Sequence, residues 1–208
     1  MAVTFGQLAA RILRESARDI SFQTAAEDAI ISAIKELERE QYWLFETEAT
    51  LTLVANTNLV ALPDDFVALS SARLLVGTTY YTEVYGFVPV TNHQIFNEAR
   101  IQGVTGIPFM YAIYNDNMVV YPWAAGDYEI DLHYFRKDLT YPVNYDDTSL
   151  WFGDLTADLT RYKALAMFYR DELQAEEKAQ FYETKSLDAI TQLTIRNNQR
   201  QTVYRLSI

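Results

Sequence analysis

The chain has 208 residues, of which 50% are hydrophobic and 22% are charged, a composition typical of a folded protein with one or two domains. A formal net charge of −11 argues against a protein that grips nucleic-acid phosphates, which needs clustered Lys and Arg. The absence of Cys excludes disulfides, thiolate zinc sites and Cys nucleophiles.

Targeting signals are also missing from the sequence. Residues 1–11 contain no apolar stretch after a basic region, so no secretory signal is predicted. No run approaches the roughly 18 apolar residues of a membrane span. We therefore expect a soluble protein that is made in a cytoplasm and does not contact a membrane.

Two helices are predicted in the first block, residues 1–46. Thr4 and Gln7 form the pattern of a capping box, in which each side chain accepts the other's backbone N–H. A second capping box is predicted at Thr24 and Glu27. The helix that follows has apolar residues at i, i+3, i+4 and i+7. These residues are Ala26, Ala29, Ile30, Ala33, Ile34 and Leu37.

The second block, residues 47–140, changes to the two-residue period of β-strands. Asn56–Asn58 predicts a turn followed by a returning strand, and a hairpin is predicted around Gly77. A short helix is expected from Thr91 to about Ile101.

The best-patterned strands lie at the end of this block. Asn115–Asn117 separates two strands and tolerates the left-handed backbone of a hairpin turn. Tyr128 to Tyr134 alternates apolar and polar residues, which predicts one buried and one solvated face. We expect a small antiparallel sheet or sandwich.

Helices return in the third block, residues 141–198. Their apolar seam steps by four and three residues. It consists of Leu155, Leu159, Tyr162, Ala166, Tyr169 and Leu173. A turn at Gln174–Glu177 leads into a last helix, which is predicted to end at Asn197–Asn198. Residues 199–208 alternate weakly, which predicts an extended tail able to add a strand to a partner's sheet.

The predicted fold class is therefore α+β. Residues 1–46 and 141–198 form a helical bundle, residues 47–140 form an inserted, sandwich-like antiparallel β-domain, and residues 199–208 form an extended tail.

Residues suited to catalysis are few. His93 and His133 lack ligand spacing to each other, so we interpret both as surface residues. Asp64–Asp65 and Asp146–Asp147 lie in turn-like sequence, where Asp caps backbone N–H groups. The acidic run Asp171–Glu177 is interpreted as a solvated turn. No phosphate-binding loop or nucleophile elbow is present, so no enzyme, metal or cofactor is predicted.

Three groups of residues carry a resemblance to a known family. Pro108–Lys137 reads Pro-x-x-Tyr-x-Ile, Asn-x-Val-x-x-Pro and Tyr-x-Ile-x-Leu-x-Tyr-Phe-Arg-Lys in order. Leu62–Phe66 reads Leu-Pro-Asp-Asp-Phe, and Tyr162 with Ala164–Ala166 lies in the closing helices. Together these elements resemble the head–tail adaptor, or head-completion, proteins of tailed bacteriophages. A departure is the turn Asn115–Asn117, which lacks the expected glycine.

The resemblance implies a structural virion protein of the neck, made in the host cytoplasm. Such proteins form a ring, usually of twelve copies, beneath the portal, and DNA passes through the lumen without sequence-specific contact. Loops in the regions Tyr80–Val90 and Tyr141–Phe152 would face the downstream tail or neck protein. The portal-binding candidates implied are Arg200, Tyr204, Arg205, Leu206 and Ile208.

Two alternatives stay open at this point. One is another virion ring component, such as a stopper or tail-tube protein, although the long helical ends favour an adaptor. The other is a peptidoglycan hydrolase that uses an acid such as Asp64 or Asp146, which would need a carboxyl with a raised pKa in an apolar pocket.

Overall fold

The computed structural model describes residues 3–41, 44–82, 86–90, 104–154 and 156–206, and the side chains of these residues except 41 and 196–206. The chain divides into two compact units, residues 1–44 with 137–208 and residues 45–136. We call them the helical unit and the β unit. Because the β unit interrupts the helical unit in sequence, the predicted α+β class with an inserted β-domain is confirmed.

Four α-helices are described in the helical unit. They are α1 (Phe5–Ser16), α2 (Gln23–Gln41), α3 (Ala157–Asp171) and α4 (Glu176–Leu206). α1 begins with the predicted capping box: the Thr4 hydroxyl accepts the Gln7 N–H at 3.4 Å, and the Gln7 side chain accepts the Thr4 N–H at 3.2 Å. The predicted capping box at Thr24 is wrong, because a 3₁₀ turn capped by Asp19 runs directly into α2.

The helices of this unit share an apolar interior. α3 packs against both α2 and α4, and α1 packs against α2 and α3. The six apolar residues predicted for the second helix are all buried. Trp151 and Phe152, in a 3₁₀ turn before α3, are fully buried as well. Periodicity therefore identified the buried face of α2 correctly.

Ten strands are described in the β unit. They are β1 (Glu46–Leu53), β2 (Leu59–Ala61), β3 (Phe66–Val76), β4 (Thr79–Tyr81), β5 (Val88–Pro89), β6 (Thr105–Gly106), β7 (Met110–Tyr114), β8 (Asn117–Tyr121), β9 (Trp123–Ala124) and β10 (Tyr128–Arg136). One sheet has the order β1-β10-β3-β4, a second has the order β2-β8-β7-β5, and β6 pairs with β9.

Residues from both four-stranded sheets form one apolar core, which confirms the sandwich-like arrangement. β1, β3 and β10 contribute Leu53, Ala72, Leu74, Ile130, Leu132 and Tyr134, and β7 and β8 contribute Tyr111, Met118 and Val120. The alternation predicted for β10 is therefore correct.

Local turn chemistry explains two hairpins. Asn115 and Asp116 have φ values of 47° and 56°, and two left-handed residues in a two-residue loop are the geometry of a type I′ turn. The turn therefore does not need the expected glycine, because Asn and Asp also adopt the left-handed conformation. The hairpin around Gly77 (φ 62°) joins β3 to β4 as predicted.

Pairing between distant strands was not predicted correctly. The strand after Asn56–Asn58 does not return along β1: β1 pairs with β10, and β2 pairs with β8 in the other sheet. The longer strand pairs are antiparallel as predicted, and only the short pairs β5 with β7 and β6 with β9 are parallel among the described strands.

The C-terminus also requires a correction. The backbone of α4 continues as helix to Leu206, so residues 199–206 are not extended. Asn in a helix interior costs only about 0.7 kcal/mol relative to Ala, so Asn197–Asn198 does not have to end the helix. The short helix predicted from Thr91 to Ile101 lies outside the described residues.

Candidate docking surfaces

The residues predicted to bind a portal lie at the end of α4. The backbone of Arg200, Tyr204, Arg205 and Leu206 is helical, and Ile208 lies outside the described residues. Their binding role stays a prediction, but the mode of binding changes. A helical segment offers side chains at i, i+3, i+4 and i+7 to a groove, whereas an extended tail would add a strand to a sheet.

The loop before α3, residues 137–149, is held by two aspartates. The Asp147 carboxylate accepts the N–H groups of Val143 and Asn144, both at 2.7 Å. These backbone hydrogen bonds, first that of Asn144 and then that of Val143, lower the pKa of Asp147. Asp138 accepts the Ser149 hydroxyl and the Leu150 N–H, the latter at 3.1 Å. The loop is therefore fixed from within.

The same loop is attached to α1. The N–H of Gly6 donates to the Tyr145 carbonyl and the N–H of Phe5 donates to the Asp147 carbonyl, both at 2.9 Å. These two N–H groups belong to the first turn of α1, where backbone donors lack helical partners. A Cβ atom on Gly6 would overlap the Tyr145 ring, so glycine allows the close approach of loop and helix.

A second attachment joins the loop to α2. The Tyr141 hydroxyl donates to Glu38 at 2.9 Å, and the Asp138 N–H donates to the same carboxylate at 3.1 Å. Burial, with the hydrogen bond to Glu38, raises the pKa of Tyr141 to about 12. The Lys35 ammonium lies 5.2 Å from the centroid of the Tyr141 ring. Contacts to two helices thus position this loop.

Although it is fixed, the loop exposes apolar side chains. Leu139 is 67% exposed, Val143 is 78% exposed and Tyr145 is 59% exposed, while Pro142 between them is buried. Exposed apolar groups on a preorganised backbone are typical of a protein-binding surface, because little conformational entropy is lost on binding. We call residues 139–145 the apolar loop; its residues 141–145 lie in the predicted Tyr141–Phe152 region.

The other loop region that was predicted to face the tail, Tyr80–Val90, is described only in part. It includes the ends of β4 and β5, and residues 83–85 lie outside the described residues. Phe87 within it is fully buried. Its ring packs at a tilt against the Tyr111 ring, with ring centroids 4.6 Å apart. Its tail-facing role stays a prediction.

A nearly buried lysine connects three helices of the helical unit. Lys163 on α3 lies 2.8 Å from a carboxylate oxygen of Glu36 on α2 and 2.7 Å from one of Glu183 on α4. Burial lowers the pKa of Lys163, but the hydrogen bonds to Glu183 and Glu36 outweigh this effect and raise it overall. The network therefore joins α2, α3 and α4.

Tyrosines, which are frequent at 15 copies, also join α3 to α4. The rings of Tyr169 and Tyr182 stack with centroids 5.6 Å apart, and Tyr162 stacks on Tyr182 at 6.4 Å. These three tyrosines make ring contacts within one chain.

His133 belongs to a polar cluster on the outer face of the β1-β10-β3 sheet. Its Nδ1 lies 3.4 Å from Glu48, and its Nε2 lies 3.4 Å from the Arg73 guanidinium. Arg73 lies 3.5 Å from Asp131, which accepts the Thr50 hydroxyl at 2.9 Å. These residues face one another across strands and line an open cavity of about 240 Å³. They make cross-strand polar pairs, as expected for a surface histidine. His93 lies outside the described residues.

The paired carboxylates have structural partners. Asp65 accepts the Tyr134 hydroxyl at 2.8 Å, and burial together with this hydrogen bond raises the pKa of Tyr134 to about 12. Asp147 fixes the loop as described above. The interpretation as a turn-capping acid is therefore correct for Asp147, whereas Asp65 accepts a tyrosine hydroxyl from β10 instead of a backbone N–H.

No group of three or more His, Cys, Asp or Glu that could hold a metal ion occurs in the part of the chain that the structure describes. No helix there is long and apolar enough to cross a membrane.

The sequence analysis missed a basic surface on α1. Arg11 and Arg14 are exposed on this helix and Arg18 is exposed just after it, whereas the arginines named from the sequence were the portal-binding candidates Arg200 and Arg205. The spacing of three residues between Arg11 and Arg14 was the available signal, because such residues share a helix face.

The fold first defines a class: an α+β protein in which a helical unit is interrupted in sequence by a β-sandwich. Within this class the chain belongs to the SU10 adaptor protein family, whose model matches residues 3–206. The family consists of phage head–tail adaptors, so the predicted resemblance is confirmed and the protein is a structural component of a bacteriophage virion. No curated protein matches the sequence.

Proposed function

We propose that the protein is a subunit of a twelve-membered ring beneath the portal of a tailed bacteriophage, where it extends the DNA channel and offers a docking platform to the tail. The observation that carries this proposal is the match of an adaptor family to residues 3–206, nearly the whole chain. The virion neck is the proposed location, after synthesis in the host cytoplasm.

The portal contact is assigned to the end of α4, with Arg200, Tyr204, Arg205 and Leu206 as binding residues and Ile208 beyond them. Length supports this assignment: α4 has 31 residues, about 46 Å, whereas α3 beside it has 15 residues, about 22 Å. Charge supports it as well, because residues 189–208 contain three Arg and no acid in a chain of net charge −11. An acidic groove on the portal is the complementary partner.

The tail contact is assigned to the apolar loop, residues 139–145. Its support is the combination of exposed Leu139, Val143 and Tyr145 with a backbone fixed by Asp147 and Gly6. A downstream neck or tail protein with an apolar patch would bury these side chains.

DNA is proposed to pass through the ring without sequence-specific contact. A net charge of −11 per subunit repels phosphates, so an acidic channel lets the duplex slide. The proposal includes no catalytic activity and no cofactor. The structural bonds of His133, Asp65 and Asp147 support a non-enzymatic role.

The first test is the mass of the protein, alone and mixed with portal rings, measured by light scattering. We expect a complex with many adaptor copies that is lost when the chain is truncated after Asn198. The matched control, Gln199→Ala with Gln201→Ala, keeps the segment, its charges and its helix propensity and should still bind. If full-length protein never joins the portal, the adaptor ring proposal is wrong.

A further inference from the structure

The edge strands of the β unit differ in length. The two four-stranded sheets end in β1 and β4 and in β2 and β5. β4 and β2 have three residues each and β5 has two, one of them Pro89, whereas β1 has eight. Short edge strands and proline protect a sheet against pairing with other chains. Among the strands that the structure describes, β1 is therefore the long edge strand without this protection.

β1 is also regular along its whole length. All eight residues pair with β10 in one unbroken register, from Glu46 opposite Phe135 to Leu53 opposite Tyr128. No β-bulge therefore twists this edge away from a partner. Its sequence, ETEATLTL, contains no Pro, Gly or Lys and has three Thr, a β-branched residue that favours strands. β1 thus has the geometry of a template for a further strand.

Half of the backbone groups of β1 face away from β10. The Arg136 N–H donates to the Phe45 carbonyl at 2.9 Å, and hydrogen-bonded pairs alternate along an antiparallel ladder. Counting from this pair, every second residue of β1 directs its N–H and C=O groups outward. These residues are Glu46, Glu48, Thr50 and Thr52. Within the described ranges their backbone groups have no hydrogen-bond partner, so four donors and four acceptors are open to another chain.

The side chains along this edge define the chemistry of a partner. On the outer face the charged groups of β1 are the carboxylates of Glu46 and Glu48, and the Glu48 side chain is 75% exposed although it lies near His133. On the inner face Ala49 and Leu51 are only partly buried against the apolar core. An added strand that alternates Lys or Arg with apolar residues would place cations opposite the two acids and cover Ala49 and Leu51.

A second copy of the chain offers no such strand in its described part. Its other edge strands in the four-stranded sheets have two or three residues, less than half the length of β1. The arginines of its described strands are Arg73 in β3 and Arg136 in β10, and both strands are already paired on two sides. Two copies that each carry −11 also repel one another. These observations favour a different, basic polypeptide.

We propose that β1 binds an extended segment of another protein of the virion, which adds as an antiparallel fifth strand to the β1-β10-β3-β4 sheet. The segment carries Lys or Arg opposite Glu46 and Glu48 and apolar residues against Ala49 and Leu51. Its backbone hydrogen bonds supply affinity, and its alternate side chains supply specificity. This contact belongs to the β unit and is additional to the contacts of α4 and the apolar loop proposed above.

A synthetic peptide is the first probe. Val-Thr-Val-Thr-Val-Lys-Val-Lys, paired antiparallel with β1, brings its two Lys opposite Glu48 and Glu46. Fluorescence anisotropy of the labelled peptide with the full-length protein should show about tenfold tighter binding than for the same peptide with Glu in place of Lys. Glu46→Lys with Glu48→Lys should reverse this preference. The matched control, Asp64→Lys with Asp188→Lys, alters two exposed acids elsewhere, changes net charge equally and should leave the preference unchanged.

Proline tests the backbone hydrogen bonds without a change of charge. The Thr50 N–H faces away from β10, so Thr50→Pro removes a donor to the added strand and none to β10. Thr50→Ala is the matched control, because both changes remove the hydroxyl that donates to Asp131. We expect the proline variant to bind the peptide about tenfold more weakly and the alanine variant to bind within about twofold of wild type. A peptide N-methylated at the threonine opposite Thr50 should bind as weakly to wild type, even if the proline variant does not fold.

Hydrogen exchange tests the contact in the assembled particle. In the purified protein the amides of Glu48, Thr50 and Thr52 should exchange fast, and in intact virions they should exchange about tenfold more slowly. Fast exchange of these amides in virions, undiminished binding of the N-methylated peptide, or an unchanged preference in the Glu46→Lys, Glu48→Lys variant would overturn the proposal. Protection in concentrated protein alone would assign this edge to a second copy and overturn it as well. None of these outcomes depends on whether the protein joins a portal ring.

Discussion

The helical unit and the β unit use charged side chains in opposite ways. In the helical unit, Lys163 is nearly buried and joins α3 to α2 and α4 through Glu36 and Glu183. In the β unit, Arg73 and Asp131 lie on the outer face of a sheet whose other face carries the apolar core.

This difference predicts where the removal of a charged side chain should lower the free energy of unfolding most. When a partly buried ion pair loses one partner, the remaining charge is left uncompensated and away from water. When an exposed ion pair loses one partner, water solvates the remaining charge. The β unit therefore depends on its apolar core, and the helical unit depends in addition on a few polar contacts between helices.

The largest expected effect is that of Lys163→Ala. It leaves Glu36 without its cation and Glu183 with only the Arg170 guanidinium at 3.9 Å, so the free energy of unfolding should fall by about 3 kcal/mol in urea titrations. The triple control Lys163→Met, Glu36→Gln, Glu183→Gln removes all three charges and should recover most of the loss. A single Lys163→Ala change that costs nothing would refute the role of this network.

The same network predicts a dependence on pH. The pKa of Lys163 is raised in the folded state, so its stabilising contribution is complete below the unfolded value near 10.5 and is lost as pH rises through the folded pKa. As pH rises above 10.5, wild type should therefore lose more of its pH 8 stability than the triple control, which lacks the titrating lysine.

An intermediate effect is expected for Asp147→Ala. Val143 and Asn144 lose the acceptor of their N–H groups, so hydrogen exchange at both amides should become severalfold faster without global unfolding. Because the pKa of Asp147 is lowered in the folded state, this protection in wild type is present above about pH 3.8 and is lost as pH falls through the lowered value.

Asp146→Ala is the matched control for this change, since Asp146 is adjacent and exposed. Exchange at Val143 and Asn144 should stay slow in that variant. Equal acceleration in both variants would show that the loop is not held by Asp147.

The smallest effect is expected for Arg73→Ala. Its ion pair with Asp131 at 3.5 Å involves a guanidinium side chain that is 40% exposed, so the free energy of unfolding should fall by less than about 1 kcal/mol. Urea titrations measure this loss beside that of Lys163→Ala. A larger loss for Arg73 than for Lys163 would reverse the comparison of the two units.

Local patterns in the sequence gave correct predictions where neighbours along the chain decide the structure. The α1 capping box, the buried face of α2 and the alternation of β10 all depend on residues a few positions apart. The prediction of an extended C-terminal tail was wrong for a related reason. Weak alternation is also compatible with a helix, and local composition does not distinguish a helix from an extended segment.

The docking surfaces were predicted less completely. Asp147 was interpreted correctly as a turn-capping acid, but nothing in its local sequence shows that Gly6, about 140 positions away, supports the same loop. Arg11 and Arg14 had a recognisable helical spacing, yet their exposure becomes visible only when the neighbouring helices are in place.

The sequence by itself determined the order of helical and β blocks, the turn at Asn115–Asp116 and the adaptor family. The first two follow from backbone preferences and from spacing within one element, whereas the family was indicated by a resemblance of motifs along the chain. The tertiary structure alone decided that β1 pairs with β10 rather than with β2, that Lys163 meets Glu36 and Glu183, and that the apolar loop is both fixed and exposed. Each of these depends on contacts between residues far apart in the chain, whose energies local patterns do not contain.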